Sequence, residues 1–539
     1  MHCLLGLVAP ELAAPTALLM HPRRVVRLGL SAYVLAATFL GPVAPALADV
    51  PTEGRPDAPN QTFRYTSDTA GAPSYFRAIL EGFGVLGLGY VEYLVSTQQL
   101  RQGVAYDGTL FYEKLRGNAQ SFDANHFGTN FIGHPLGGTL YYLAARGNRL
   151  SVAQSFSWAF TGSLLWEYLG EIGERPSYND MIATPWGGVA NGETFTQLGA
   201  FFARGRPSPA TRAAEILFGW PRVVHDALDG ATFARAAETD DLGLPADVWH
   251  DVRASVDVAS VTQAGAATRT EAGLAVDLAV HNLDKEGQPA DVSYVYDDGN
   301  AAALRLRLRQ AEGRIVDARY EASVSPVGYF TQRARLNRGR LSGQSFLVGL
   351  SVAYEIAAHD YERTAALDTI SKVTVLGLLA ESTTYLSGPR LRARLLLGGD
   401  FAGVRAFALP SFLARHPEVA AATSTALPSL LKNEHYYFAL GPSVAPSLAL
   451  DVGAWSLEAN LRWEAFQAIQ GIDVDQRSLT DDIARSDRRA SGGVRLAVRP
   501  LRRLEVGGEI EGRYRAGRVG EVSEQRTERS IGAFVGARF

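Results

Sequence analysis

The sequence predicts an α+β membrane protein, with an N-terminal helical unit (plug or cap) followed by an antiparallel transmembrane β-barrel of roughly 12 strands. Three observations carry this expectation. Long runs in the C-terminal half alternate apolar and polar residues with a period of two, short and long connections alternate between those runs, and the chain stops on a strand that ends in an aromatic residue.

The final segment places Ile531, Ala533, Val535, Ala537 and Phe539 on one strand face. Upstream, Trp455, Leu457, Ala459, Leu461, Trp463 and Ala465 alternate with Ser456, Glu458, Asn460, Arg462 and Glu464, so one face suits lipid and the other a watery lumen. Leu504, Val506, Gly508, Ile510, Gly512 and Tyr514 alternate in the same way with Glu505, Gly507, Glu509, Glu511 and Arg513. Phe346, Val348, Leu350, Val352, Tyr354 and Ile356 continue the rule, and Leu304, Leu306 and Leu308 sit between Arg305, Arg307 and Arg309. A soluble sandwich also alternates, but its strands average five or six residues, whereas a tilted barrel wall needs about ten.

Asp451-Val-Gly-Ala454 and Arg499-Pro-Leu-Arg502 read as short turns, and the polar segments 412–434, 468–489 and 516–528 as long loops. That order matches a barrel with short periplasmic turns and longer outer loops, placed at residues 251–539. The terminal Phe539 is the expected signal to the barrel assembly machinery, and outer-membrane lipid is the expected surrounding.

The 539 residues, 47% hydrophobic with 54 Gly and a net charge of −4, are enough for more than one structural unit. Acids and bases balance, leaving no basic stripe for nucleic acid. The sole cysteine, Cys3, precedes the expected mature chain, which fits an oxidising compartment. Arg23, Arg24 and Arg27, the apolar run Leu28 to Leu40, and Ala46-Leu47-Ala48 before Asp49 describe a secretory signal cleaved near Ala48. Residues 1–48 are thus a leader and signal peptide, with Met20 as a candidate true start, and the expected destination is the bacterial outer membrane. Residues 49–72, rich in Pro, Gly, Asp and Thr, read as a flexible linker.

Residues 73–230 change texture and predict helices, followed by a connector over 231–250. Ile79 to Val95 is apolar but carries Glu81 and Glu92, so it suits a helix over the barrel mouth or in the lumen better than a transmembrane helix. Helices are expected at Pro135–Arg146, with Pro at the first position, and at Ser151–Glu174, Thr194–Arg204 and Pro209–Ala227, the last interrupted at Pro221. Gly82-Phe-Gly84-Val-Leu-Gly87 fits a dinucleotide pattern but follows no strand, and helix packing through small residues explains it better.

Within this unit the blocks Asn130-Phe-Ile-Gly-His134-Pro135, then Gly138, Tyr141, Tyr142 and Arg146, then Trp166-Glu167-Tyr168 with Glu171, then Glu174-Arg-Pro-Ser177 with Asp180, and Thr184-Pro-Trp-Gly-Gly188 with Gly192-Glu193 resemble the bacterial domain of unknown function 3943 over about residues 75 to 230. The resemblance implies an exported envelope protein, often with a barrel-like remainder, and implies no reaction.

The candidate catalytic groups are His134, Glu167, Glu171 and Asp180. Glu167, Glu171 and Glu174 fall at helical spacing on one face, where apolar Leu164, Leu165, Trp166 and Tyr168 would favour raised carboxyl pKa values useful in acid–base work. Their structural alternative is a solvated stripe, or pairing with lumen arginines such as Arg305, Arg307 and Arg392. His126, Asn130 and His134 would align on one helix, although Pro135 disfavours helical geometry at His134. With the carboxylates, His126, His134, Glu167 and Glu171 have the donor chemistry for a divalent metal assembled across elements. No other cofactor is expected. Ser177-x-x-Asp180 reads first as a helix-capping box, and Thr184 to Glu193 as a tight loop near a ligand or a turn, with Glu193 capping the next helix. Two readings of function follow. One is an outer-membrane barrel with a helical plug or cap, serving envelope structure or restricted transport. The other is a membrane-interface hydrolase or transferase acting on lipid or cell-wall material through the His/Glu/Asp cluster.

Overall fold

The structure is a computed structural model that describes residues 72–96, 107–361, 367–421, 430–469 and 483–539. The leader, its cleavage site and nearly all of the linker lie outside the described residues.

Six helices come first: α1 (Tyr75–Ser96), α2 (Gly108–Leu115), α3 (His134–Gly147), α4 (Val152–Leu165), α5 (Tyr178–Arg204) and α6 (Pro209–Asp229). Strands follow as β1 (Trp249–Gln263), β2 (Arg269–His281), β3 (Ala290–Tyr296), β4 (Ala301–Ala311), β5 (Arg314–Ser325), β6 (Gly328–Asn337), β7 (Arg340–His359), β8 (Asp368–Leu386) and β9 (Arg390–Arg405). Two short helices, α7 (Leu409–Arg415) and α8 (Pro417–Ala421), precede β10 (Tyr436–Val452), β11 (Trp455–Ala468), β12 (Arg485–Val498), β13 (Leu504–Val519) and β14 (Val522–Arg538).

Twelve of the strands close into an antiparallel barrel. Neighbours run β7, β5, β4, β2, β1, β14, then down through β8, and β8 pairs back onto β7. β6 pairs with the first half of β7 and carries β3 on its other edge, as a flap beside the wall. The segment 516–528 departs from the expected long loop: β13 and β14 pair through it and turn at Gly520 and Glu521, Gly520 adopting φ +60°.

Contacts between strands that are not neighbours fix which face is inside. Arg253 of β1 pairs with Glu458 of β11, Arg307 of β4 with Glu511 of β13 at 3.0 Å, and Arg513 of β13 with Asp317 of β5 at 2.8 Å. Each pair crosses the lumen. The alternate positions Leu306, Leu457, Leu461, Ile510 and Ile531 are exposed and face outward, as a lipid-facing wall requires. Arg305, Arg307 and Arg392 pair with strand carboxylates, among them Asp277, Glu509 and Glu381, and not with the helical glutamates.

Apolar clusters sit at both ends of the barrel. At the end with the longer connections, Leu409 and Phe412 of α7 pack among inward-facing Val404, Tyr437, Phe466 and Val519. At the other end, Leu283, Tyr296 and Phe330 meet Leu347 and Leu379 along one side of the wall. Between them a polar cavity of about 370 Å³ remains, ringed by arginines and acids.

The helical unit rests on the outer wall. Leu198 and Phe201 of α5 and Phe218 of α6 pack on Leu278, Val280, Leu304 and Ala322, all on the face opposite to the luminal charges. α5 is about 40 Å long over its 27 residues and reaches from the β9–β10 region to the end where β1 starts. It is buried on nearly every side, by the wall and by α3, α4 and α6. The Gly-rich stretch read as a loop is its middle: a side chain at Gly138 would run into the Thr184 carbonyl, and Tyr142 lies on Gly192. Glycine therefore serves helix–helix approach here, as it does where Gly82 and Gly89 of α1 meet Trp158 and Trp166.

Candidate functional site

Pro135 organises the site. A π turn, Thr129–Gly133, runs into α3 with His134 in helical geometry (φ −63°, ψ −47°), so Pro135 does not expel His134 from the helix. Pro135 has no N–H for the carbonyl of Phe131 four residues earlier. The barrel wall supplies the missing donor: Tyr354 Oη donates to that carbonyl at 2.6 Å. Phe131 itself packs on outward-facing Phe401 and Phe438, with centroids 6.1 and 5.8 Å away.

This seats His134 beside the start of α5. Ser177 caps that helix by accepting from the Asp180 backbone N–H at 3.4 Å, the capping role the sequence suggests. A short pairing lays Ser121 beside Ser177, with the Tyr178 N–H donating to the Ser121 carbonyl at 2.9 Å, and brings Asp123 into reach. His134 Nε2 lies 3.3 Å from Asp180 Oδ1. One donor atom each from Asp123, His134 and Asp180 falls within 4.8 Å of the others.

Asn179 ties the group together: its Oδ1 accepts from the Asp123 N–H at 2.8 Å and from Ser177 Oγ at 2.7 Å, and its Nδ2 donates to Asp180 Oδ1 at 2.7 Å. Glu167, fully buried, accepts from the Ser177 N–H. Lys114 is spent on backbone, donating to the Glu167 and Glu171 carbonyls at 3.1 and 2.6 Å.

Burial pushes the Asp123 carboxyl up to about 7, with the charge of Asp180 adding to the effect. Burial also pushes Asp180 up to about 7, against hydrogen bonding with Ser177 and Asn179. Glu167 is raised well above the carboxylate range by burial and then by Asp180 and Glu171. Several acids in a poorly solvated site cannot all ionise, so the group holds protons near neutrality.

The sequence candidates thus divide. His134 and Asp180 meet, and Glu167 lies next to them through Ser177. Glu171 accepts from Trp166 Nε1 at 3.0 Å and stays within electrostatic reach of Asp180 and Glu167. The expected single helix through Glu174 ends instead at Leu165 and continues as a π turn to Gly170, so the three glutamates do not share one face. His126 is apart, its side chain 82% exposed and paired with Glu434 at 2.8 Å. Glu193 is no cap but a buried partner of Arg146. Asp123 was missed by sequence reasoning, because it stands in an irregular segment with no diagnostic spacing.

Residues 119–219 match the family model described as Domain of unknown function (DUF3943). No curated protein matches the chain. Among solved structures the chain is similar to OmpT of Vibrio cholerae, an outer membrane protein, at 7% identity over 54% of this chain and 99% of that one, with a TM-score of 0.21. It is also similar to the translocator domain of the autotransporter NalP of Neisseria meningitidis, at 14% identity over 61% of this chain and 98% of that one, with a TM-score of 0.20. A third is the outer membrane channel DcaP of Acinetobacter baumannii, at 11% identity, 56% and 100% coverage and a TM-score of 0.18. Closure of the barrel rests on the strand pairing. A closed antiparallel barrel, apolar outside and charged within, makes the chain an outer-membrane β-barrel protein.

Proposed function

We propose that this protein is a closed outer-membrane barrel whose wall holds a lipid-immersed helical unit, and that it serves the envelope at that helical surface instead of passing solutes through the lumen. One observation carries the reading: the unit packs on outward-facing wall residues, and its own far side is apolar as well. Phe76, Leu80 and Phe83 of α1 and Leu217, Trp220 and Leu228 of α6 are 47–73% exposed, an arrangement that water would penalise and acyl chains would not. None of the described helices is long and apolar enough to cross a membrane, which suits helices that lie against a wall. α7 fills one barrel mouth, and the N-terminal unit lies along the outer wall. The barrel's first and last strands begin and end opposite to the longest connection, which joins β9 to β10; with that connection outside, the end that holds both is periplasmic and the His134–Asp180 site lies toward the outer leaflet.

Nitroxide labels at Leu217 and Leu80, in a Cys3→Ser background in lipid nanodiscs, are expected to be relaxed more by oxygen than by a water-soluble nickel chelate. The reverse order at both positions would place the unit in water and end this reading.

The meeting of Asp123, His134 and Asp180 favours a second reading, a hydrolase or transferase acting on outer-leaflet lipid, with His134 as base and a protonated acid as donor. Lipid extracts exposed to the reconstituted protein should then show a changed species that Asp180→Asn removes. Unchanged lipid under both proteins would leave the unit without this chemistry.

A further inference from the structure

We propose that Asp123, His134 and Asp180 form a divalent-cation site in the helical unit, with a position left open toward the surface. The donors come from three separate segments, and their atoms fall within 4.8 Å of one another, a separation that one ion can bridge. Two carboxylate oxygens and one imidazole nitrogen suit a first-row ion such as zinc or manganese better than calcium.

Unpaired oxygens provide the second observation. Asp180, 1% exposed, has no hydrogen-bond partner for Oδ2, and Glu167, 0% exposed, has none for Oε1. A buried carboxylate oxygen without a donor is costly, and a cation relieves that cost. Lys114, the nearby ammonium, spends its hydrogen bonds on backbone carbonyls instead of these oxygens. Asn179 supplies the outer support: it fixes Asp180 Oδ1 and the backbone of Asp123, as groups behind metal ligands do. Asp123 and His134 are only half-buried, so an exogenous ligand has a way in.

The barrel contains a comparable grouping, His281, Glu286 and Glu381. There Arg392 lies 2.9 Å from Glu381 and 3.7 Å from Glu286, so the acids already have a cation. The contrast supplies a control. The site does not depend on the protein turning lipid over.

The test uses the full folded chain in detergent, stripped with chelator and titrated with zinc. One ion per chain is expected, with affinity falling about tenfold to a hundredfold or more in His134→Ala and Asp180→Asn and unchanged in His126→Ala and His281→Ala. Undiminished binding in His134→Ala, or none in the wild type, would overturn the site. Should the site variants fail to show heat-modifiable mobility, zinc-edge X-ray absorption on the wild type decides. One imidazole in a shell otherwise of oxygen, at about 2.0–2.2 Å, supports the site, and a shell without imidazole overturns it.

Discussion

Arg146→Ala is expected to release the helical unit from the wall while the barrel stays folded. Arg146 is 3% exposed and binds Glu193 through Nε and Nη2 at 2.8 and 2.9 Å. The same Nη2 reaches Asp298, in the β3–β4 connection, at 2.9 Å. Tyr142 Oη and Gln197 Nε2 also donate to Glu193, so one guanidinium stands at the join of α3, α5 and the barrel. Its removal leaves two poorly solvated carboxylates without a counter-charge, and breaking such a pair costs about 3–5 kcal/mol. Trypsin should then cleave within residues 75–230 under conditions in which the wild type resists, while heat-modifiable mobility on gels persists. Arg146→Lys keeps the charge but not the two-pronged geometry, and should fall between the two. Equal protease resistance in all three would show that apolar packing alone holds the unit in place.

In Arg462→Ala, the barrel is expected to lose its mobility shift at lower temperature without becoming a pore. Arg462 pairs across the lumen with Glu321 at 2.7 Å and with Glu355, and along its own strand with Glu464 at 3.5 Å. Lys372 and Arg319 would remain as nearby cations for these carboxylates. The loss should therefore fall below the cost of about 3–5 kcal/mol for a buried pair left without any counter-charge. α7 keeps its apolar packing in one mouth, so planar-bilayer recordings should show no steady current. A steady cation current in Arg462→Ala would mean that the charge ladder alone closes the lumen.

The strands were legible because lipid outside and charges inside impose a period of two on the wall. Where that contrast fades, reading fails. Around 516–528 both faces are polar, with Glu524, Arg526 and Glu528 on one and Ser523, Gln525 and Thr527 on the other, so paired strand ends resembled a loop. In β7 the run from Phe346 crosses a register shift between Ser351 and Tyr354, and from Val352 onward its outward residues are covered by helices. α5 was broken in the reading because a helix buried all round lacks an apolar stripe, and its glycines and Pro185 suggested turns. Of the site, His134 and Asp180 were marked by the motif blocks and by capping. Asp123 depends on a pairing of Ser121 with Ser177 that no local pattern announces, and Asp298 on a contact 152 residues from Arg146.

The seat of the helical unit also bears on the order of assembly. The unit touches β2, β4, β5, β7, β8, β9 and β10, a continuous arc of the wall. The seam between β1 and β14 lies beyond that arc except at the end where β1 begins, where Val252 and Phe539 join the cluster around Leu198 and Phe201. A unit made first therefore finds its full seat only after most of the wall exists, and must keep its apolar surfaces from aggregating in the meantime. Because the last residue of the chain completes that cluster, docking of the first domain and closure of the last strand are coupled, and each stabilises the product of the other.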